Sequence, residues 1–196
     1  PGGNSYLSAM ITGGVVTNVG SVSINQGTSG RASRLLQTGG LFVVPDPGVI
    51  NPNPTVSGSV NIYSVTGGTN ITGGFYFGNG ANAGTVDFTN GAVIYVGSQG
   101  IASNGVVALT AALSDGGQFG ATADWTGSAA MNLDAGTFTF SPVDLNGNGH
   151  TITLSGVLSG GGSLLVTNGG TLVLAGANTY SGGTTVGAGS LVLGNS

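Results

Sequence analysis

The chain has 196 residues, a net charge of −4 and 4% charged residues, whereas ordinary soluble domains have about 25%. Its 39% apolar residues exclude disorder, and its 41 glycines have no three-residue period, which excludes collagen. No apolar run approaches the roughly 18 residues of a membrane-spanning helix, so this segment is not expected to insert into a membrane.

In chain order, short runs rich in Val, Ile, Thr and aromatic residues, bounded by Gly or Asn-Gly, predict β-strands. These runs are residues 15–24, 41–44, 55–65, 74–77, 85–89, 92–96, 106–113, 137–140, 151–154, 163–166, 171–174 and 190–193. Residues 30–37 also permit a helix, as do residues 106–113 in competition with the strand. The stretch from Pro45 to Pro54 holds four prolines and predicts a loop or excursion.

A repeat closes the chain. Residues 150–169 align with residues 170–189, so that Thr151 meets Thr171 and Leu154 meets Leu174, and a third copy begins one residue early at Ser190. The aligned apolar positions form two columns, Ile152, Leu172, Leu191 and Leu154, Leu174, Leu193. A period near 20 residues is typical of solenoids, in which stacked coils share backbone hydrogen bonds and bury a continuous core. The predicted fold is all-β: a parallel β-helix (β-solenoid) of roughly 20-residue coils.

The repeat is clear only over residues 150–196, and it is degenerate before about residue 137. We therefore predict a β-solenoid over residues 55–196. Residues 1–54, with their proline-rich stretch, are predicted to form an irregular N-terminal cap or assembly region.

The last 27 residues, GTLVLAGANTYSGGTTVGAGSLVLGNS, carry a specific pattern. Its positions are Gly170, Thr171, Leu172, Leu174, Gly176, Asn178, Thr179, Tyr180, Gly182, Thr184, Val186, Gly189, Leu191 and Leu193. This pattern resembles the autotransporter-associated β-strand repeat, also called the passenger-associated transport repeat. The match is close over residues 170–196 and looser over residues 150–169. The resemblance implies a right-handed parallel β-helix in a bacterial protein exported to the cell surface or beyond, with a repeat associated with export and folding rather than catalysis.

Residues 144–149, DLNGNG, match the start of a calcium-binding loop, in which Asp144, Asn146 and Asn148 would supply oxygen ligands. A calcium-binding loop of this type has an acidic residue at its twelfth position. In this chain that position is Ser155, and the chain contains no glutamate. The pattern therefore favours an Asn-Gly turn between strands, with calcium as the weaker hypothesis. No cofactor is expected.

Enzymatic activity is not expected. The six aspartates are scattered along the chain, and His150 is the single histidine. Glycoside hydrolysis needs two carboxyl groups close in space, and a catalytic triad needs a defined nucleophile and base. Two cations, Arg31 and Arg34, could share a helical face and reach carboxylates of a neighbouring subunit, or pair within the chain.

Trp125 lies between Asp124 and Thr126 and is the aromatic residue that we expect to be exposed, as a contact for a glycan. The chain has no basic patch, so nucleic acid is not an expected partner. An exported adhesin would bind a glycan or a host surface protein through lateral loops, near residues 51–54 or Trp125.

The last coil stops after one strand and carries no charge or proline to protect its edge. We therefore predict a non-catalytic extracellular structural protein that stacks head to tail into a fibre or surface layer. The predicted interface joins Ser190, Leu191, Val192 and Leu193 of one subunit to Tyr6 and Leu7 of the next. The alternative is a surface adhesin or passenger fragment that binds through its lateral loops.

Overall fold

The structure, a computed structural model, describes residues 7–18, 20–24, 32–51, 60–77, 84–89, 91–103 and 110–194. These residues form twenty β-strands: β1 (Leu7–Ile11), β2 (Val15–Thr17), β3 (Val22–Ser23), β4 (Ala32–Gln37), β5 (Leu41–Asn51), β6 (Val60–Val65), β7 (Thr69–Phe77), β8 (Gly84–Phe88), β9 (Val93–Ser103), β10 (Thr110–Leu113), β11 (Gln118–Ala121), β12 (Trp125–Gly127), β13 (Met131–Leu133), β14 (Thr137–Phe140), β15 (Thr151–Leu154), β16 (Leu158–Gly160), β17 (Ser163–Val166), β18 (Thr171–Leu174), β19 (Thr184–Val186) and β20 (Ser190–Leu193). Within these ranges there is no helix, and hence none able to cross a membrane.

Every pairing between these strands is parallel, and the strands form three ladders along the molecule. A seven-stranded sheet runs in the order β1, β4, β6, β8, β10, β13, β16. The thirteen-stranded sheet contains the other two ladders. The first halves of β5, β7 and β9 lead to β11, β14, β17 and β19, and their second halves lead to β12, β15, β18 and β20. The predicted parallel β-solenoid is therefore confirmed.

The repeat predicted at the C-terminal end has the predicted register. Thr171 pairs with Thr151 on one side and with Ser190 on the other, and Leu174 pairs with Leu154 and Leu193. The predicted coil length of roughly 20 residues holds here but is too short for earlier coils, since Ala32 pairs with Val60. Longer strands and corner loops lengthen those coils, which also explains why their repeat cannot be recognised in the sequence.

Alternating side chains fill the solenoid with one continuous apolar cluster that extends from Ile11 to Leu174. Aromatic rings stack along its middle: Phe88 lies 5.4 Å from Phe75 and 5.2 Å from Phe119, and Phe119 lies 5.1 Å from Phe138, measured between ring centroids. Edge-to-face rings at these distances stabilise a core beyond the burial of their area.

The interior near the N-terminal end also contains polar side chains. Fully buried Tyr63 receives a hydrogen bond of 2.8 Å from Nδ2 of Asn70, and Gln37 donates through Nε2 to the carbonyl of Thr69 at 2.9 Å. Burial raises the pKa of the Tyr63 hydroxyl, which therefore stays protonated. These hydrogen bonds satisfy donors that would otherwise be costly to bury, whereas Oδ1 of Asn70 has no hydrogen-bond partner among the described residues.

The helix considered for residues 30–37 is wrong over the described part. Residues 32–37 form β4, in which Ser33, Leu35 and Gln37 point inward while Arg34 is exposed. This two-residue alternation suits a strand, and pairing with β1 and β6 outweighs local helix propensity. Arg31 lies outside the described residues.

For residues 45–51 a loop is wrong, whereas the alternative of an excursion fits, because residues 45–47 are exposed at a shift of register within a strand. Strand β5 continues through Pro45 and Pro47 to Asn51, and the register against β7 shifts between Val44 and Val49. The prolines lie at this irregularity, where ladder hydrogen bonds are interrupted and their missing N–H costs little. Residues 52–54 lie outside the described residues.

The remaining strand predictions are most accurate in the C-terminal coils. All five strands predicted from residue 137 onward have the predicted bounds. Residues 110–113 of the predicted 106–113 segment form a strand, and the preceding residues lie outside the described part. The sequence did not predict β1, β11, β12, β13, β16 and β19, because most of them contain Gly, Ser, Asn or Ala and lack a run of β-branched or aromatic residues. The boundary proposed at residue 54 stays a prediction.

Candidate binding and assembly sites

Trp125 is buried, so the prediction of an exposed aromatic residue at this position is wrong. Its side chain is 3% exposed and packs edge-on against Phe119, with ring centroids 5.9 Å apart. The alternation of β12 turns Trp125 and Gly127 inward and leaves Thr126 outside. The indole Nε1 has no hydrogen-bond partner in the core.

A shallow groove lies on the outer surface beside β12. We call it the lateral groove; its polar side chains are Ser98, Gln99, Asp124, Thr126, Thr151 and Thr153. Nε2 of Gln99 donates to Oγ of Ser98 at 3.1 Å, and Oδ1 of Asp124 accepts the backbone N–H of Thr151 at 2.8 Å. The Asp124 side chain is nevertheless 74% exposed. The groove thus presents hydroxyl, amide and carboxylate groups that can exchange hydrogen bonds with a hydroxyl-rich ligand.

The corner loop, residues 143–149, connects β14 to β15 and closes through an antiparallel bridge between Val143 and Gly149. Oδ1 of Asp144 accepts the backbone N–H groups of Asn146 and Asn148, each at 2.8 Å, and Oδ2 accepts Nδ2 of Asn148 at 2.8 Å. Gly147 has a φ of 83°, which side chains rarely permit. The predicted turn is confirmed.

These hydrogen bonds also determine the electrostatics of Asp144. The Asn148 side chain is the main cause of the lowered pKa of Asp144. Burial is the next largest effect and opposes it, and the backbone N–H groups of Asn148 and Asn146 and the charge of His150 lower the pKa further. Donors thus occupy the carboxylate oxygens that Ca²⁺ would need. In the described part of the chain, no three His, Cys, Asp or Glu side chains are grouped to hold a metal ion. Calcium binding by Asp144, Asn146 and Asn148 stays a prediction that this geometry does not favour.

His150 lies at the start of β15, between two carboxylates. Its Nδ1 is 3.5 Å from Oδ1 of Asp124, and its Nε2 is 4.0 Å from Oδ2 of Asp144. The group thus links the corner loop to the preceding coil.

A second electrostatic group lies on the outer face of the seven-stranded sheet. Burial raises the pKa of Asp87, Arg34 lowers it, and Asp134 raises it further. Arg34 thus lowers the pKa of a carboxylate of its own chain, but no ion pair of Arg34 is present among the described residues, and both alternatives for this cation stay predictions. Asp134 accepts hydrogen bonds from Nδ2 of Asn132 at 2.6 Å and Oγ of Ser114 at 3.2 Å.

Several acidic and amide side chains at the corners bind backbone groups, a role that was not predicted from the sequence. Asp115 accepts the N–H of Thr137 at 2.8 Å, and Asn178 accepts that of Leu158 at 2.8 Å. The side chains of Asp46 and Asp124 also bind backbone N–H groups of later coils. The sequence pattern that could have indicated this role is an Asp or Asn in a turn beside a strand, because such side chains often accept hydrogen bonds from unpaired backbone N–H groups.

The last described coil has an open face. Strand β19 pairs only with β17, and β20 pairs only with β18. Leu191 packs partly against the core, whereas Val192 and Leu193 are exposed, Leu193 by 70%. Ser190 is also exposed. At the other end, Leu7 begins β1 beside Ser33, and Tyr6 lies outside the described residues.

The fold and the repeat now define the class of protein. A family model described as the passenger-associated-transport-repeat matches residues 164–193, which cover β17 to β20. The chain is therefore a parallel β-solenoid whose C-terminal coils carry the autotransporter-associated repeat, and this repeat indicates an exported protein of the bacterial cell surface.

A curated relative extends the similarity along the chain. The chain is 32% identical to the protein named Adhesin BmaC autotransporter, of Brucella suis biovar 1 (strain 1330), over 229 residues. The alignment covers 95% of this chain and 6% of the relative, so the chain spans a small part of the relative's length. No solved structure matches the chain.

Proposed function

We propose that the chain is a non-catalytic scaffold segment of a surface adhesin, in which the solenoid holds lateral binding surfaces at fixed positions. The observation that carries this proposal is the pair of long parallel sheets over one apolar interior. Stacked coils that share backbone hydrogen bonds make a stiff, extended body, as a passenger needs in order to present a binding surface away from the cell. The name of the relative, an adhesin, supports the same proposal.

The lateral groove is the part of this scaffold best suited to a hydroxyl-rich ligand, such as a cell-surface glycan. Its Thr126 and Thr153 side chains lie side by side on paired strands, with the exposed carboxylate of Asp124 next to them. Hydroxyls and carboxylates in such an array can donate to and accept from sugar hydroxyls without an aromatic platform. Loss of hydrogen-bond partners that a ligand needs lowers affinity steeply.

Binding of the purified chain to an array of host-type glycans and to cultured cells tests this function. The variant Gln99→Ala/Thr126→Ala is expected to lose binding, since it removes exposed groups of the groove. The matched control is Thr139→Ala on β14, because Thr139 is an outward-facing threonine of a different ladder. Binding that is unchanged in the groove variant, or absent from the native chain, contradicts the proposal.

A second function, end-to-end stacking of identical subunits, is supported by apolar side chains that are exposed in the first and last described coils. The C-terminal face exposes Val192 and Leu193, and the first described coil exposes Met10, Val15 and Val16. Because all the ladders are parallel, the first coil of one copy has the strand direction needed to continue the last coil of another. Such a contact covers apolar side chains and pairs free backbone groups at once.

Electron microscopy and light scattering of the purified chain at several concentrations test stacking. Filaments in axial register are expected, and Leu193→Asp is expected to abolish them by burying a charge in the contact. Leu145→Asp is the control, because Leu145 is similarly exposed but lies on the corner loop. Monomers that persist at high concentration contradict stacking while leaving the adhesin scaffold intact.

A further inference from the structure

The corner loop contains two consecutive Asn-Gly pairs, Asn146-Gly147 and Asn148-Gly149. A third pair within the described residues is Asn168-Gly169. Asparagine followed by glycine is the sequence in which the next backbone nitrogen reaches the side-chain carbonyl with least steric hindrance, because glycine has no Cβ. The three pairs share this chemistry but differ in how their side chains are held.

Two of the three side-chain amides are fixed by hydrogen bonds. Nδ2 of Asn148 donates to Oδ2 of Asp144 at 2.8 Å, and the backbone N–H of Asn148 donates to Oδ1 of the same carboxylate at 2.8 Å. Nδ2 of Asn168 donates to Oγ of the buried Ser141 at 3.0 Å. These contacts resist the side-chain rotation that would bring Cγ against the following nitrogen.

The side chain of Asn146 has no such restraint. Asn146 is exposed, only its backbone N–H is used, and its amide makes no hydrogen bond within the described structure. The following Gly147 is exposed as well, and space around its Cα is open, with no heavy atom within 4 Å of the position that a Cβ would take. The backbone N–H of Gly147 donates to the carbonyl of Asp144 at 3.1 Å, an ordinary hydrogen bond that must open before the nitrogen can attack.

We infer that Asn146 is a site of spontaneous deamidation, and that the structure selects it over Asn148 and Asn168. The nitrogen of Gly147 loses its proton to solvent base and attacks Cγ of Asn146. The new N–C bond forms as the Cγ–Nδ2 bond breaks and ammonia leaves with a proton returned from solvent. Water then opens the cyclic imide to aspartate or isoaspartate, so that the net change consumes one water and releases one ammonia.

The modification has a local consequence for the corner loop. A carboxylate at position 146 lies two residues from Asp144, whose carboxylate already holds the turn. Mutual repulsion of the two charges opposes the N–H contact from residue 146. The isoaspartate product also adds a methylene to the backbone between residues that the Asp144 side chain ties together. Deamidation therefore loosens the corner loop and adds a negative charge to this lateral surface.

Peptide mapping by mass spectrometry, on the full folded chain incubated at mildly alkaline pH, tests this inference. We expect modification at Asn146 several times faster than at Asn148 or Asn168. In the chain unfolded by guanidinium, the rates at the three sites are expected to converge. Equal rates in the folded chain, or slower modification at Asn146, overturn the inference.

A variant examines the cause of the selection. In Asp144→Ser, the carboxylate that restrains Asn148 is absent, so modification at Asn148 is expected to rise toward that at Asn146 while Asn168 stays slow. Asn168 lies in a different corner and serves as an internal control for folding in the same sample. If Asn148 stays slow in the variant while Asn168 also stays slow, hydrogen bonding to Asp144 is not the cause.

Discussion

Asp46 binds Ser98 through two hydrogen bonds, although 52 residues separate them in sequence. Oδ2 of Asp46 accepts the backbone N–H of Ser98 at 2.9 Å, and Oδ1 accepts its Oγ at 2.8 Å. Strand β5, which contains Asp46, and strand β9, which contains Ser98, both flank β7, so the contact crosses an entire coil. The glycine at position 97 allows the Asp46 carboxylate to approach this closely, because a Cβ at that position would lie only 2.9 Å from Oδ2 of Asp46.

We expect Asp46→Ala to lower the free energy of unfolding by about 1–3 kcal/mol, because a backbone donor and a hydroxyl lose a charged acceptor. The effect should lie toward the lower end, since both groups are exposed. A double-mutant cycle with Ser98→Ala, followed by denaturant unfolding, measures the part due to the pair. Additive effects of the two substitutions would mean that the hydroxyl contact contributes nothing to stability.

Two adjacent glycines give a second prediction. A Cβ on Gly162 would overlap the carbonyl of Asp134 in the neighbouring coil, whereas a Cβ on Gly161 meets no heavy atom within 4 Å. Gly162→Ala is expected to lower the free energy of unfolding by about 1–3 kcal/mol through forced separation of coils. Gly161→Ala should change it by less than about 0.5 kcal/mol. Thermal unfolding of the two variants compares them directly, and equal effects would contradict the close approach.

The C-terminal third of the fold was predictable from sequence because its coils repeat at nearly constant spacing. The columns through Leu172 and Leu174 follow directly from aligning like residues, and the strand pairs have that register. The earlier coils vary in length, and bends such as that between Val44 and Val49 disrupt alternation within a strand. Local pattern therefore identifies many of these strands but not their partners.

The candidate sites were less predictable from the sequence, because they too depend on which strands lie side by side. Asp46 meets Ser98, and Asp124 meets Thr151, only once the stacking register is known. Trp125 was wrongly predicted to be exposed because a three-residue strand shows no recognisable alternation, and its position between Asp124 and Gly127 suggested a turn at the surface. Whether a side chain points into the core depends on the strands that pair with its own strand, and the sequence does not identify those strands here.

The buried position of Trp125 predicts a stability effect in place of a specific loss of ligand binding. Trp125→Ala is expected to lower the free energy of unfolding by about 3–5 kcal/mol by leaving a cavity beside Phe119. Thr126→Ala, at the adjacent outward position, should change stability by less than about 0.5 kcal/mol. Denaturant unfolding with near-ultraviolet circular dichroism measures both. Full stability in Trp125→Ala would contradict burial of the ring.

The acid dependence of stability gives a prediction for Asp144. Its pKa in the folded chain is lower than in the unfolded chain, so its contribution to stability is present above the unfolded pKa and is lost as pH falls through the folded pKa. Asp144→Asn should therefore be less stable than the native chain at neutral pH, and the difference should disappear in acid. Urea unfolding across this pH range checks the result, and a difference that does not vary with pH contradicts it.

The stability contribution of Asp87 should change with pH in the opposite direction to that of Asp144. Burial raises its pKa in the folded chain, so the unfolded chain ionises first and stability falls as pH rises from the unfolded toward the folded pKa. Asp87→Asn removes this penalty and is expected to be more stable than the native chain at neutral pH, with no difference in acid. The same urea titration measures both aspartates under identical conditions. Loss of stability in Asp87→Asn at neutral pH would mean that the favourable effect of Arg34 on the Asp87 carboxylate exceeds the cost of burying it.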